Sequence, residues 1–260
     1  MAAECDATSV DAVLGGRLVL RQPRRGHRVG HDAILLAAAT SAQAGERAVD
    51  LGAGAGAAGL ALALRIEGLA VTLVEIDPAL ARLARENAER NGLADRVRPV
   101  CLDVGAPARA FAGAGLAAEA ADCVLMNPPF NAPHSPSPNA SRRLAHAAPR
   151  GALRQWLRVA SRLLRPSGAL TLIWRADGVA EVLAALASGF GAVTVMPVYG
   201  KPGAPAVRIL LRAIKGSGAP LALLPGLLLA DAQGRPTADA EAVLRGGAKL
   251  PLVCSRKVYT

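Results

Sequence analysis

Arg47-Ala-Val-Asp-Leu-Gly-Ala-Gly-Ala-Gly56 is an apolar run that breaks into a glycine-rich turn, and a helical stretch follows it. A short apolar run bounded this way reads as a buried strand. Glycines directly behind it let the backbone approach a ligand closely, and the start of the next helix offers free N–H groups. Strand, glycine loop and helix in that order open an α/β unit.

The alternation continues downstream through VTLVEID (71–77), VRPVCLDV (97–104), DCVLMNPPF (122–130), GALTLIWR (168–175), AVTVMPVY (192–199) and AVRILLRAI (206–214). The early runs are apolar almost throughout, as strands covered on both faces of a parallel sheet require. Between them, Pro78 to Asn91 is predicted as a helix, with proline in its first turn and Asn91-Gly92 as its stop. Gly151 to Leu164 is predicted as another, ending before Pro166-Ser167-Gly168. Only YGKPGAP (199–205) joins the last two runs, too short for a crossover helix, so they are expected to pair as an antiparallel hairpin. The expected fold is Rossmann-like α/β: a seven-stranded, mostly parallel sheet with a terminal antiparallel hairpin and helices on both faces. A plain dinucleotide-binding domain is not expected to end that way.

Two flanks lie outside this core. Residues 1–45 contain a hairpin signal at Leu14-Gly15-Gly16-Arg17, a basic segment and a helix from Asp32 to Thr40. Residues 216–260 are punctuated by proline and glycine around one helical piece, Thr237 to Arg245. Both are expected to pack on a catalytic core spanning 46–215.

The hydrophobic fraction is 52% with only 3% aromatics, so the core should be aliphatic. Thirty basic residues against 20 acidic ones give a net charge of +10, which favours nucleic acid first and a membrane surface second. Only four of the basic residues are lysine, and an arginine- and alanine-rich composition also arises from a GC-rich genome. The four cysteines (Cys5, Cys101, Cys123, Cys254) form no C-x-x-C pair, so neither a disulfide framework nor a metal site is expected. The opening MAAECDATSVDAV lacks a basic region followed by an apolar stretch, and the apolar run Pro220 to Ala230 is broken by Pro225 and Gly226. A cytoplasmic protein with no membrane span is the expectation.

The glycine loop admits two cofactors. Gly54-Ala-Gly56-Ala-Ala-Gly59 fits a dinucleotide fingerprint, with Glu75 sixteen residues beyond it. The same features fit S-adenosylmethionine, with Asp50, Gly52, Gly54 and Gly56 around the turn, Glu75 accepting from ribose hydroxyls and Asp103 from the adenine amino group. The fourth strand's end bears on the choice. It runs into Met126-Asn127-Pro128-Pro129-Phe130. An exocyclic amino nitrogen is a poor nucleophile because its lone pair is delocalised. The Asn127 side-chain oxygen and the Pro128 carbonyl can accept from its two N–H groups, Pro129 stiffens the turn, and Phe130 offers a face for stacking a flipped-out base. This assigns Asn127, Pro128, Pro129 and Phe130 to catalysis of methyl transfer.

The chain resembles the bacterial family of tRNA adenine-N6 methyltransferases that modify a valine tRNA. The resembling stretches are Gly26-His-Arg-Val-Gly-His-Asp-Ala-Ile-Leu-Leu-Ala37, the loop at 50–56, N-P-P-F and AVRILLRAIKGS (206–217), and the likeness runs from about residue 14 onward. It implies a class I methyltransferase fold, S-adenosylmethionine as cofactor and RNA, tRNA above all, as partner. It also implies that Gly30-His31-Asp32 begins a helix lying over the cofactor pocket. The N-P-P-[FY] motif is shared with guanine-N2 and protein glutamine-N5 methyltransferases, and here Phe130-Asn131 stands where the family often has tyrosine and a further aromatic. Those two acceptors stay open, as does a non-catalytic RNA-binding relative.

Two basic segments are candidates for substrate contact. Arg24, Arg25 and Arg28 belong to the densest positive cluster, suited to phosphates or, as the alternative, to a solvated turn. Arg142 and Arg143 lie in the four-proline stretch 131–149 after the motif, read either as an RNA-contacting element or as a surface excursion.

Overall fold

The computed structural model describes residues 8–25, 28–129 and 151–252. The central sheet is built from β3 (Arg47–Leu51), β4 (Ala70–Glu75), β5 (Val97–Cys101), β6 (Ala121–Met126), β7 (Leu164–Arg175), β8 (Phe190–Tyr199) and β9 (Ala206–Lys215). Their spatial order is β5-β4-β3-β6-β7-β9-β8. The first five run parallel, and β9 pairs antiparallel with both β7 and β8. The hairpin expected from the seven-residue connection is present, but its second strand is threaded between β7 and β8 rather than added outside. Two short strands, β10 (Ala222–Leu223) and β11 (Leu227–Leu228), extend the sheet by pairing parallel with β8.

Helices cover both faces, which is why the strands read as continuous apolar runs. On one face α1 (His31–Ala39), α2 (Ala57–Arg65) and α3 (Pro78–Arg90) bury Leu35, Leu60 and Ala84 with Leu73, Leu125 and Leu210 of the sheet. On the other, α4 (Ala108–Gly113), α5 (Ala152–Leu163) and α6 (Val179–Leu186) bury Phe111, Leu157 and Val182 against Val49, Val124 and Leu172. Val124 and Leu125 enter opposite layers, as the two-residue period of a strand demands.

Local chemistry sets the ends of α3. Asp77 caps it, its carboxylate accepting from Ala79 N–H at 2.8 Å, and Pro78 occupies the first turn, where no N–H is needed. One boundary differs from the sequence reading. Strand β7 starts at Leu164, four residues before Gly168, because Arg165-Pro166-Ser167 bulge out between the pairs Ala121–Leu164 and Cys123–Ala169. Pro166 is tolerated in a strand because it sits in that bulge.

Strands β1 (Thr8–Val13) and β2 (Leu18–Pro23) form a separate antiparallel hairpin. Its open edge is not left bare. Asn87 on α3 and Asn91 at its C-cap, one turn apart, present side-chain amides to β2 as a strand would. Asn87 Oδ1 accepts from Arg21 N–H at 2.7 Å and its Nδ2 donates to Arg21 C=O at 2.9 Å. Asn91 does the same for Val19 at 2.9 and 2.8 Å. Helix α7 (Ala238–Leu244), capped by Thr237, packs against α1, and Leu250 N–H donates to the carbonyl of Ala38 at the end of α1.

Candidate methyl-donor and acceptor site

The glycine loop is held by its neighbours. Gly52 and Ala53 donate their N–H groups to the carbonyl of Val74 at 2.8 and 3.0 Å, folding the chain back onto β4. The three alternating glycines take φ values of +72° (Gly52), +58° (Gly54) and +92° (Gly56), a left-handed conformation that other residues adopt at a cost of roughly 1–2 kcal/mol. At Gly52 a side chain is excluded twice over, since a β-carbon there would run into the Trp156 ring of α5. Gly59 has ordinary helical backbone, but a β-carbon there would strike Leu73, so it serves close helix-to-strand packing.

Two buried carboxylates brace this turn. Asp50 accepts from Gly59 N–H at 2.9 Å, and Glu75 accepts from Gly54 N–H at 2.8 Å and Asp77 N–H at 2.9 Å. Burial pushes the Asp50 carboxyl up to about 7, helped by the negative charge of Glu75. Burial also raises Glu75, against the lowering effect of its backbone donors. Asp103, just past β5, is exposed and accepts from Gly105 N–H at 2.7 Å. Ile76, directly after Glu75, is a large apolar side chain left 52% exposed.

A cavity of about 200 Å³ opens over this loop. Its floor is Asp50, Gly52 and Gly54, its roof is the start of α1 from Gly30 to Ala33, and Asn127 stands in its wall. The roof is tied down by groups the sequence reading did not nominate. Buried Gln22 accepts from Val29 N–H at 2.8 Å and donates to Asp11 at 2.8 Å. Arg28 lines the same cavity and is paired with Asp11 at 2.9 Å, so it sits beside the cofactor loop in an ion pair. Asp32 is held by Arg208 of β9 at 2.9 Å.

The other nominated residues fall as follows. Pro128 is buried and Asn127 and Pro129 are half-buried at the carboxyl end of β6. Arg24 and Arg25 are exposed, and Arg24 donates to the carbonyl of Thr8 at 2.9 Å. Phe130, Arg142 and Arg143 lie outside the described residues.

This arrangement discriminates between the two cofactors. A dinucleotide places its doubly negative pyrophosphate on the first-turn N–H groups of the helix. Here one of those donors, the Gly59 N–H, is already taken by Asp50, one of two buried acids that brace the turn. The same acids suit a ligand whose sulfonium and ammonium are cationic and whose ribose offers hydroxyl donors.

Residues 27–201 match the family described as "Methyltransferase small domain". The chain belongs to that family. This small-domain methyltransferase uses S-adenosylmethionine as its methyl donor. Among curated proteins it is 30% identical over 186 residues to a tRNA1(Val) (adenine(37)-N6)-methyltransferase of Bacteroides fragilis, covering 71% of this chain and 76% of that one. It is 35% identical over 161 residues to a release factor glutamine methyltransferase of Chlorobaculum tepidum, covering 59% of this chain and 53% of that one. Among solved structures it resembles one titled as a predicted O-methyltransferase of Agrobacterium tumefaciens, with a TM-score of 0.72 and 35% identity over 84% of this chain and 98% of that chain. Three relatives thus carry three different acceptors in their names, and the small-domain methyltransferase's own acceptor has to be argued from its site. Among the described residues no helix is long and apolar enough to cross a membrane.

Proposed function

We propose that this methyltransferase acts on the exocyclic N6 amino group of an adenine in tRNA. The observation that carries this reading is the position of Asn127, in the wall of the cavity that Asp50, Gly52 and Gly54 floor. An acceptor amino group held by Asn127 would lie beside the donor pocket.

Bound S-adenosylmethionine supplies an electrophilic methyl group on a sulfonium. Asp50, Gly52, Gly54 and Gly56 would hold its methionine end, with Glu75 toward the ribose and Asp103 and the exposed face of Ile76 toward the adenine. Toward the acceptor, Asn127 Oδ1 and the Pro128 carbonyl take the two amino hydrogens, restoring lone-pair density to nitrogen as it becomes tetrahedral. Buried Pro128 and half-buried Pro129 fix the direction of those acceptors. Phe130 stacks on the base. No strong base would be required, because Asn127 and Pro128 would position the amino nitrogen for attack and its proton could leave to solvent afterwards.

Adenine in tRNA is preferred because the first-named relative is a tRNA adenine-N6 enzyme and the chain carries a +10 charge. Arg24 and Arg25 are exposed on the hairpin arm, where they can meet phosphates. Arg28, Arg142 and Arg143 complete the proposed substrate set. Glutamine-N5 methylation is the second reading, favoured by the 35% identity to the release factor enzyme, although the match spans 53% of that protein. We divide the chain functionally into an arm (1–45), a catalytic core (46–215) and a carboxyl-terminal extension (216–260).

The test is incubation with tritiated S-adenosylmethionine and total tRNA from a strain lacking the gene, followed by nucleoside mass spectrometry. N6-methyladenosine that disappears with Asn127→Ala supports the proposal. Label entering release factor but not tRNA overturns it in favour of glutamine.

A further inference from the structure

Between Asp122 and Asp177 the chain has no acidic residue at all, although about four would be expected from 20 in 260, and it has eight arginines. Helix α5 is the described arginine-bearing part of this stretch that lies against the site. Its apolar side, Leu153, Leu157 and Ala160, is buried on the sheet, while Arg154, Gln155 and Arg158 are exposed. Two contacts fix where that exposed row stands. Trp156 packs against Gly52 of the cofactor loop, and Gln155 reaches Gly105, two residues past Asp103. Arg154 and Arg158 are therefore within about one helical turn, roughly 5 Å, of residues touching the donor pocket's rim.

The charge on this row is uncompensated. Several arginines elsewhere are consumed by the fold: Arg21 pairs with Glu86, Arg28 with Asp11, Arg165 with Asp122 and Arg208 with Asp32, whereas exposed Arg25, Arg85 and Arg90, away from this row, are not. Among the described residues, Arg154, Arg158 and exposed Arg109 of neighbouring α4 have neither an ion pair nor a side-chain hydrogen bond. Even Arg162, one turn further along, is occupied, lying 4.7 Å over the Phe111 ring. Like charges spaced four residues apart on a helix are mildly destabilising, so this row is not explained by helix stability.

We propose that the exposed face of α5, Arg154 and Arg158 with Arg109 beside them, binds the phosphate backbone of the RNA whose base enters the site. This rests on the RNA reading above. It places the main phosphate contacts on the Asp103 side of the pocket, opposite the hairpin arm.

The experiment measures binding of unmodified tRNA transcript to the whole protein by fluorescence anisotropy across a salt series. Arg154→Gln/Arg158→Gln is compared with Arg235→Gln/Arg245→Gln, which removes the same charge from the carboxyl-terminal extension. Each lost phosphate contact lowers the slope of log K against log salt by about 0.7–0.9. The α5 variant should therefore lose about 1.5 from the slope and on the order of tenfold or more in affinity, with calorimetric binding of S-adenosylmethionine unchanged. The distal pair should stay near wild type. Equal losses in both variants, or none in the α5 variant, overturn the surface while leaving the RNA reading intact. Wild-type protein that shows no salt-dependent tRNA binding overturns the RNA reading and the surface together.

Discussion

Gly52→Ala is the perturbation that most directly probes how the donor pocket is built. At φ +72° an alanine pays the left-handed backbone penalty, about 1–2 kcal/mol. Its β-carbon would also clash with the edge of the Trp156 ring, 2.9 Å from Cζ3, so α5 or the loop must shift, adding about 1–3 kcal/mol of overpacking. Gly54→Ala is the internal control, with φ +58° and nothing within 4 Å of its β-carbon, so it should lose only the backbone part. The assay is urea unfolding of both variants, together with calorimetric titration of S-adenosylmethionine. Gly52→Ala should lose about 2–5 kcal/mol and bind cofactor at least tenfold more weakly. Trp156→Leu in the Gly52→Ala background should recover the steric part, appearing as a coupling of about 1–3 kcal/mol in the double-mutant cycle. Should Gly52→Ala be no worse than Gly54→Ala, or the coupling vanish, α5 does not buttress the cofactor loop and the reasoning is refuted.

Three further outcomes follow from the buried polar groups. Asp50 keeps its proton up to about pH 7 in the folded chain against 3.8 unfolded, so its contribution to stability falls as pH rises across that window, whereas affinity for the cationic cofactor rises. Melting and calorimetry between pH 5 and about 8 should show both slopes flattened in Asp50→Asn. Glu75→Gln keeps the shape but turns one acceptor into a donor, leaving either Gly54 or Asp77 N–H unpaired. Cofactor affinity should drop by roughly tenfold or more, since an unmet buried donor costs about 1–3 kcal/mol. Asn87→Ala removes hydrogen bonds to Arg21 N–H, Arg21 C=O and Ala55 C=O at a fully buried position, and should lower unfolding free energy by about 2–4 kcal/mol in urea titrations. Hydrogen exchange at the Arg21 amide should accelerate more than at Val19, where Asn91 still holds.

The sequence by itself determined the parts whose signals are local. Apolar runs such as Val71–Glu75 marked strands covered on both faces, Asp77-Pro78 marked a helix start, and the alternating glycines after Leu51 marked a turn whose backbone can approach a ligand closely. The short link after Tyr199 fixed an antiparallel pair, because six residues cannot hold a crossover helix. What it could not decide was which strand would receive β9 on its other side, since that pairing with β7 joins residues far apart in the chain. The three-residue bulge at Arg165–Ser167 was hidden for the same reason: register is set by the partner strand. At the site, Asn127 and Glu75 could be named from motif position alone. That Arg28 would pair with Asp11 was decided by tertiary structure, and Asn87, Gln22 and Trp156 carried no local signal of what they would touch. A residue's type and period report how buried it will be and how its backbone bends. Which polar group answers it is decided only when distant segments pack, because an unpaired buried group is too costly to survive and its partner comes from wherever the fold supplies one.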